Sequence, residues 1–233
     1  MIKKIIVIGD IHGRNIWEDI VNTTTADKYI FIGDYFDSYN IISRNKIIDN
    51  FKKIIELKDS RPDDVVLLIG NHDYHYMPFV YDTYSGFDRV LKTMIGTDLL
   101  IENLHKFKMC HRECDFLFSH AGISNAWLIL NGWNGEPIDE FVNDMWKYKP
   151  DVFKHNGIDP YGDNINSSPI WIRPKSLMAS NHNSKEWIQV VGHTSFDNLT
   201  IIDNYYFIDC LANNEYLTIE INDGTSNAII SKI

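Results

Sequence analysis

Residues 5–13 run Ile-Ile-Val-Ile-Gly-Asp-Ile-His-Gly. Four β-branched residues in a row cannot alternate between a wet and a dry face, so they predict a strand buried on both sides. The run stops at glycine, and a carboxylate and then an imidazole follow. The pattern recurs downstream. Tyr29-Ile30-Phe31-Ile32 stops at Gly33-Asp34, and Val65-Val66-Leu67-Leu68-Ile69 stops at Gly70-Asn71. Between these two runs, Ile47, Ile48, Phe51, Ile54 and Ile55 share one helical face with charges opposite. Strand–helix–strand alternation predicts a parallel, helix-covered sheet, whose functional groups gather at the carboxyl ends of the strands.

Two later runs end alike, Phe116-Leu117-Phe118 at Ser119-His120 and Gln189-Val190-Val191 at Gly192-His193. The rim then holds Asp10, His12, Asp34, Asn71, His120 and His193. This mixed oxygen and nitrogen set suits manganese, iron or zinc better than calcium, which prefers oxygen alone. It exceeds the three or four protein ligands of a single zinc site. It serves two ions if one carboxylate bridges them, and such a pair, about 3.5–4 Å apart, is a common clamp for phosphoryl transfer.

The motifs GDIHG (9–13), GDYFD (33–37), GNHD (70–73), SHAG (119–122) and GHT (192–194) resemble, in order and spacing, those of the calcineurin-like metallophosphoesterases. The match spans residues 5–195. Ser195 stands where many branches carry the second histidine of Gly-His-x-His, so the phosphoprotein-phosphatase branch is most similar. That branch includes bacterial and phage-type serine/threonine phosphatases and dinucleoside tetraphosphatases. The resemblance implies an α/β protein, a four-layer α/β/β/α sandwich with two mixed sheets and a dinuclear site at strand ends. It implies two divalent ions, manganese first, with iron or zinc as alternatives. Asp10, His12 and Asp34 would hold one, and Asp34 (bridging), Asn71, His120 and His193 the other.

By the same resemblance His72 is the general acid and Asp37 its hydrogen-bond partner. The chain departs from the family after Asp37, where Ser38-Tyr39 replaces the usual Arg-Gly. Arg14, directly after GDIHG, and Arg173, in Trp-Ile-Arg-Pro, are the candidates to grip phosphate, since an arginine fork matches phosphate oxygens. The expected activity is hydrolysis of a phosphomonoester by a metal-bound hydroxide, as in a serine/threonine protein phosphatase. Dinucleoside tetraphosphate hydrolysis and polynucleotide end-phosphate removal are the alternatives. A metal-free scaffold of the same fold would be expected to lose ligands, and all six are present.

Composition bounds the partners. The 233 residues carry 32 Asp plus Glu against 22 Lys plus Arg, a net charge of −10. Such a chain has no overall basic field for long nucleic acid, leaving a phosphoprotein or nucleotide as substrate. Cys110, Cys114 and Cys210 are too few for a disulfide framework, and Cys110-His-Arg-Glu-Cys114 lacks the second ligand pair of a zinc finger. No apolar run is long enough for a membrane span, so no membrane partner and a cytoplasmic location are expected. Residues 1–233 are expected to form one domain with helical or loop insertions around 74–110 and 125–186. Of these, 74–110 and 125–149 are expected to be mainly helical and 150–186 a long functional loop, with an antiparallel meander from about 199. His75, His105, His111, His155 and His182 match no motif and are expected at the surface or in the core. Trp127, Trp133, Trp146 and Trp171 are expected to pack in the core.

Overall fold

The computed structural model describes residues 3–159, 161–180, 187–222 and 225–233. Its first half forms β1 (Lys3–Ile8), α1 (Ile16–Thr23), β2 (Lys28–Phe31), α2 (Arg44–Ser60), β3 (Val65–Leu68), the single turn α3 (Asn71–Tyr74), α4 (Arg89–Asn103), β4 (Phe107–Lys108), β5 (Cys110–Glu113) and β6 (Phe116–Ser119). There follow α5 (Asn125–Leu130), α6 (Ile138–Tyr148), α7 (Pro174–Ser180), β7 (Ile188–Val191), β8 (Thr200–Ile202), β9 (Tyr205–Phe207), β10 (Glu215–Asn222) and β11 (Thr225–Lys232). One sheet has the order β11-β10-β1-β2-β3-β4 and the other β5-β6-β7-β9-β8. β1 to β4 run parallel, as do β6, β7 and β9, while the remaining pairs are antiparallel.

The continuous apolar runs divide by parity. Ile5, Val7, Ile30, Ile32, Val66 and Leu68 pack with Phe116, Phe118 and Val190 of the second sheet. Ile6, Ile8, Phe31 and Leu67 join Trp17 and Ile20 of α1 and Ile47, Phe51 and Ile54 of α2. On the far side, Val191 and Phe207 meet Leu177 of α7, and Trp127, Phe141 and Val142 of α5 and α6 are buried. The layers are therefore helix, sheet, sheet, helix. Ile5 and Ile6 face opposite ways and are both fully buried. Each contributes about 1.5–3 kcal/mol of burial, so neither face of β1 tolerates a polar side chain.

Several local expectations change. Residues 75–88 are turns and irregular chain, because Pro78 disfavours helix at Met77. α4 begins only where the Asp88 carboxylate caps the N–H groups of Val90 and Leu91. The stretch from 150 onward contains a 3₁₀ turn at Pro150–Phe153 and α7; residues 181–186, His182 included, lie outside the described residues. The expected C-terminal meander is split between sheets. β8 and β9 form a hairpin in the second sheet, whereas β10 and β11 close the first. Cys110–Glu113 is a strand paired with β6, and Cys114 sits in the turn with φ 51°. The three thiols are free.

Candidate metal centre and active site

Asp10, Asp34 and Asn71 lie just past β1, β2 and β3, and His120 and His193 just past β6 and β7. Because neighbouring strands run parallel within each sheet, all five residues emerge at one edge of the sandwich. The sheets are joined there by the His193 N–H, which donates to the Asp10 carboxylate at 3.1 and 3.2 Å. Two glycines permit the close approach. A Cβ on Gly192 would lie 2.1 Å from Asp10 Oδ1, and one on Gly70 2.0 Å from Asp34 Oδ1. Any side chain at either position would displace a carboxylate.

The three imidazoles share one arrangement. His12 Nδ1 donates to the Asp37 carbonyl at 2.7 Å, His120 Nδ1 to the Ile32 carbonyl at 3.1 Å, and His193 Nε2 to the Trp171 carbonyl at 3.1 Å. A carbonyl only accepts, so the opposite nitrogen of each neutral ring carries a lone pair. Those lone pairs converge. His12 Nε2 and His120 Nε2 each lie 3.5 Å from Asp34 Oδ2. His120 Nε2 and His193 Nδ1 each lie 2.9 Å from Asn71 Oδ1. Asp34 Oδ1 accepts the His72 N–H at 2.9 Å, which leaves Oδ2 for the shared centre.

Acceptors facing acceptors in a buried site are costly unless a cation or a proton lies between them. Protonated rings do not supply it, because burial lowers His12 to about 4 and takes His120 and His193 well below their ordinary value. Burial, aided by repulsion from Asp209 on Asp10 and from Asp10 on Asp34, raises both well above the usual carboxylate range. Asp10, His12 and Asp34 offer ligand atoms all within 4.8 Å of one another. The donor set therefore fits borderline divalent ions, with backbone carbonyls orienting the rings as outer-shell partners do.

Four residues here hold left-handed backbone: His12 (φ 44°), Asp34 (55°), Asp37 (55°) and His193 (64°). Each such residue is strained by about 1 kcal/mol or more and persists only where its surroundings over-determine it. Asp73 is one such constraint. Its fully buried carboxylate accepts the N–H groups of Asp34 and Tyr35 at 2.7 Å and of Gly70 at 2.8 Å, fixing the loop after β2 to the loop after β3.

Beside the centre, His72 Nδ1 donates to Asp37 Oδ2 at 3.1 Å, and its Nε2 meets the Tyr39 hydroxyl at 3.2 Å. Asp37 also accepts from His75 Nε2 at 2.6 Å and from the Tyr76 hydroxyl. Burial would raise Asp37, but the bonds from His72, His75 and Tyr76 outweigh it and hold the carboxyl below its ordinary value. An anionic Asp37 orients the His72 ring.

Both arginines reach a cleft of about 300 Å³ that includes His12, Asp34, His72 and His193. Arg173 donates from Nε to the Tyr161 carbonyl at 2.6 Å, and from Nη1 to the His193 carbonyl at 3.1 Å and Thr194 Oγ1 at 3.0 Å. Arg14 Nη1 contacts the Asp10 carbonyl at 3.2 Å and, among the described residues, has no carboxylate partner within ion-pair distance. A larger groove of about 760 Å³ adjoins the cleft at Arg14, between the start of α1 and α2. Asp209, in the same cleft, is pushed up to about 6 by burial while Arg14 and Arg173 oppose.

All ten candidate residues thus gather around one cleft. Sequence reasoning missed Asp73, His75, Tyr76, Tyr39 and Asp209. A signal existed for Asp209, since Tyr205-Tyr206-Phe207-Ile208 ends at an acid as the other rim strands do. His75 is neither at the surface nor plain core: it is fully buried against Asp37.

The family model for calcineurin-like phosphoesterases matches residues 3–224, and the chain belongs to that family. A serine/threonine-protein phosphatase from Schizosaccharomyces pombe, ppe1, is 30% identical over 132 residues, 54% of this chain and 38% of its own. A symmetrical bis(5′-nucleosyl)-tetraphosphatase from Nitrosospira multiformis is 23% identical over 171 residues, 63% of this chain and 57% of its own. The chain therefore spans well under two thirds of the length of either relative. Among solved structures, a Saccharomyces cerevisiae protein serine/threonine phosphatase with similarity to human phosphatase PP5 superposes with TM-score 0.56 at 13% identity, covering 99% of this chain and 80% of its own. That likeness concerns the fold. Among the described residues, no helix is long and apolar enough to cross a membrane.

Proposed function

We propose that this protein is a metal-dependent phosphomonoesterase of the serine/threonine protein phosphatase type. The observation that carries the reading is the convergence of three imidazole lone pairs and Asp34 Oδ2 beside a histidine held by a carboxylate. Asp10, His12 and Asp34 would hold one divalent ion, and Asp34, Asn71, His120 and His193 a second, with manganese the first expectation. When bound, such ions supply Lewis-acid stabilisation of phosphoryl charge and acidify water at the phosphorus.

The chain's own residues do the rest. Arg173 and Arg14 grip phosphoryl oxygens from the cleft wall. As the water oxygen bonds to phosphorus, the water releases one proton to solvent, from which His72 is later reprotonated, and the bond to the leaving oxygen breaks. His72 Nε2 gives that oxygen its proton, and alcohol and phosphate result. Asp37 keeps the ring turned for this transfer. The segments around 74–110 and 125–186 are insertions within one domain, and Arg173 of the second lines the cleft. The free thiols of Cys110, Cys114 and Cys210 fit a reducing, cytoplasmic setting.

The test uses leaving groups. An alkoxide needs the proton and p-nitrophenolate does not. His72→Asn should lose about 10²–10⁴-fold on a phosphoserine peptide and distinctly less on p-nitrophenyl phosphate, with metal retained. Equal losses, or loss of metal, would mean that His72 holds the site together and protonates nothing. A panel including a dinucleoside tetraphosphate and an end-phosphorylated oligonucleotide separates the protein phosphatase reading from its alternatives.

A further inference from the structure

Tyr39 is an unusual residue for its place. Its side chain belongs to no core, for the residue is 67% exposed, yet its hydroxyl lies 3.2 Å from His72 Nε2. The ring stands edge-on to His12 at 5.6 Å and to His72 at 5.7 Å, so it overhangs both the proposed metal side and the acid side of the cleft. The left-handed turn at Asp37 carries the chain back over the site, and Ser38 is too small to reach across.

We propose that Tyr39 is a catalytic residue that contacts the phosphoryl group directly. The proposal rests on the phosphomonoesterase reading above. The leaving oxygen must come to His72 Nε2, the place that the Tyr39 hydroxyl now occupies, so substrate entry displaces the hydroxyl from that nitrogen. The acceptors that arrive with the leaving oxygen are the non-bridging oxygens on the same phosphorus. The phenol stays protonated throughout and donates to one of them; no bond to it is made or broken. A neutral donor at the cleft mouth thereby takes part of the grip that Ser38 cannot supply, and Arg14 and Arg173 complete it.

The experiment measures inorganic phosphate binding to the manganese-loaded protein by calorimetry, for wild type and Tyr39→Phe, alongside turnover of a phosphoserine peptide and p-nitrophenyl phosphate. A hydrogen bond to a charged oxygen is lost, so Tyr39→Phe should bind phosphate about 10-fold or more weakly. Its kcat/KM should fall by a similar factor on both substrates, because both present the same phosphoryl group. Circular dichroism and melting temperature should match wild type, since the ring is retained. Unchanged phosphate affinity, or a loss confined to the phosphoserine peptide, would overturn the assignment and make Tyr39 a residue that merely positions His72. If the wild type hydrolyses neither substrate, the phosphomonoesterase reading fails by itself, and phosphate binding still decides the role of Tyr39.

Discussion

The carboxylate of Asp73 accepts the backbone N–H of Asp34 at 2.7 Å, with both residues buried. The proposed bridging ligand is therefore held from behind by a residue that takes no part in the centre itself. Asn in place of Asp73 keeps the shape but turns an amide donor toward at least one of the N–H groups now satisfied. Leaving a buried donor unpaired costs about 1–3 kcal/mol. Asp73→Asn should lower the melting temperature and weaken metal binding, both measurable on purified protein. Wild-type stability and metal affinity would show that the loop after β2 keeps its conformation without this anchor.

Asp34 Oδ2 is equidistant, at 3.5 Å, from His12 Nε2 and His120 Nε2. One oxygen thus faces both proposed ions. Asp34→Asn should deplete both, whereas His12→Ala should deplete one and retain much of the other. Metal analysis after dialysis distinguishes the two patterns. Equal depletion by both substitutions would argue against a bridge.

Arg173 is partly desolvated and already tied to the His193 carbonyl. A preorganised donor of this kind is worth about 2–4 kcal/mol to the transition state. Arg173→Ala should reduce kcat/KM by the corresponding factor, with metal content close to wild type. Arg14, bound only to carbonyls, should matter less. Steady-state kinetics of the two alanine variants ranks them, and the reverse order would make Arg14 the principal clamp.

The crowded acids make stability depend on pH in a way that metal should weaken. Burial lowers His12 to about 4 and takes His120 and His193 well down, so the folded state binds fewer protons on these rings and gains stability as pH rises toward 6.5. Burial raises Asp73 to about 7, and Asp10 and Asp34 well above their ordinary value near 3.8. There the folded state binds more protons than the unfolded chain, and stability is lost as pH rises through the folded values. From about pH 6.5 upward only the acids contribute. Chelator-treated protein should melt at progressively lower temperature between pH 6.5 and 8. Metal-loaded protein should fall less steeply, because cations replace the protons on Asp10 and Asp34 while Asp73 still titrates. Parallel melting curves for the two forms would refute the assignment of Asp10 and Asp34 to a cation site.

The parts visible from sequence were those written in unbroken runs. Ile5–Ile8 and Val65–Leu68 must be interior strands, and the polar group that ends each run must emerge at a sheet edge. β11 escaped because Thr225-Ser226-Asn227 opens it and only pairing with β10 makes it a strand. β5 escaped because His111, Arg112 and Glu113 look like surface chain, and its register comes from β6. Tertiary pairing, not local preference, decides both. Asp73 was quoted within its motif without a role, because its partners are backbone N–H groups 37 to 39 residues away. His75 shares Asp37 with His72 only after the chain turns at residues 75–88, and the left-handed residues have no compositional mark at all.

The bond from the His193 N–H to Asp10 closes a span of 183 residues. Contacts so distant in sequence are the slowest to form, since the intervening chain must be collected first. No early fragment of this protein can hold the ligand set proposed for the second ion, because Asp34 and Asn71 rise with one sheet and His120 and His193 with the other. An ion held by that set would be recruited at the end of assembly and would rivet one sheet to the other. Metal at that second set would, in consequence, certify a finished molecule: a chain that has misdocked its sheets would by the same error lack the pair of ions proposed for the reaction.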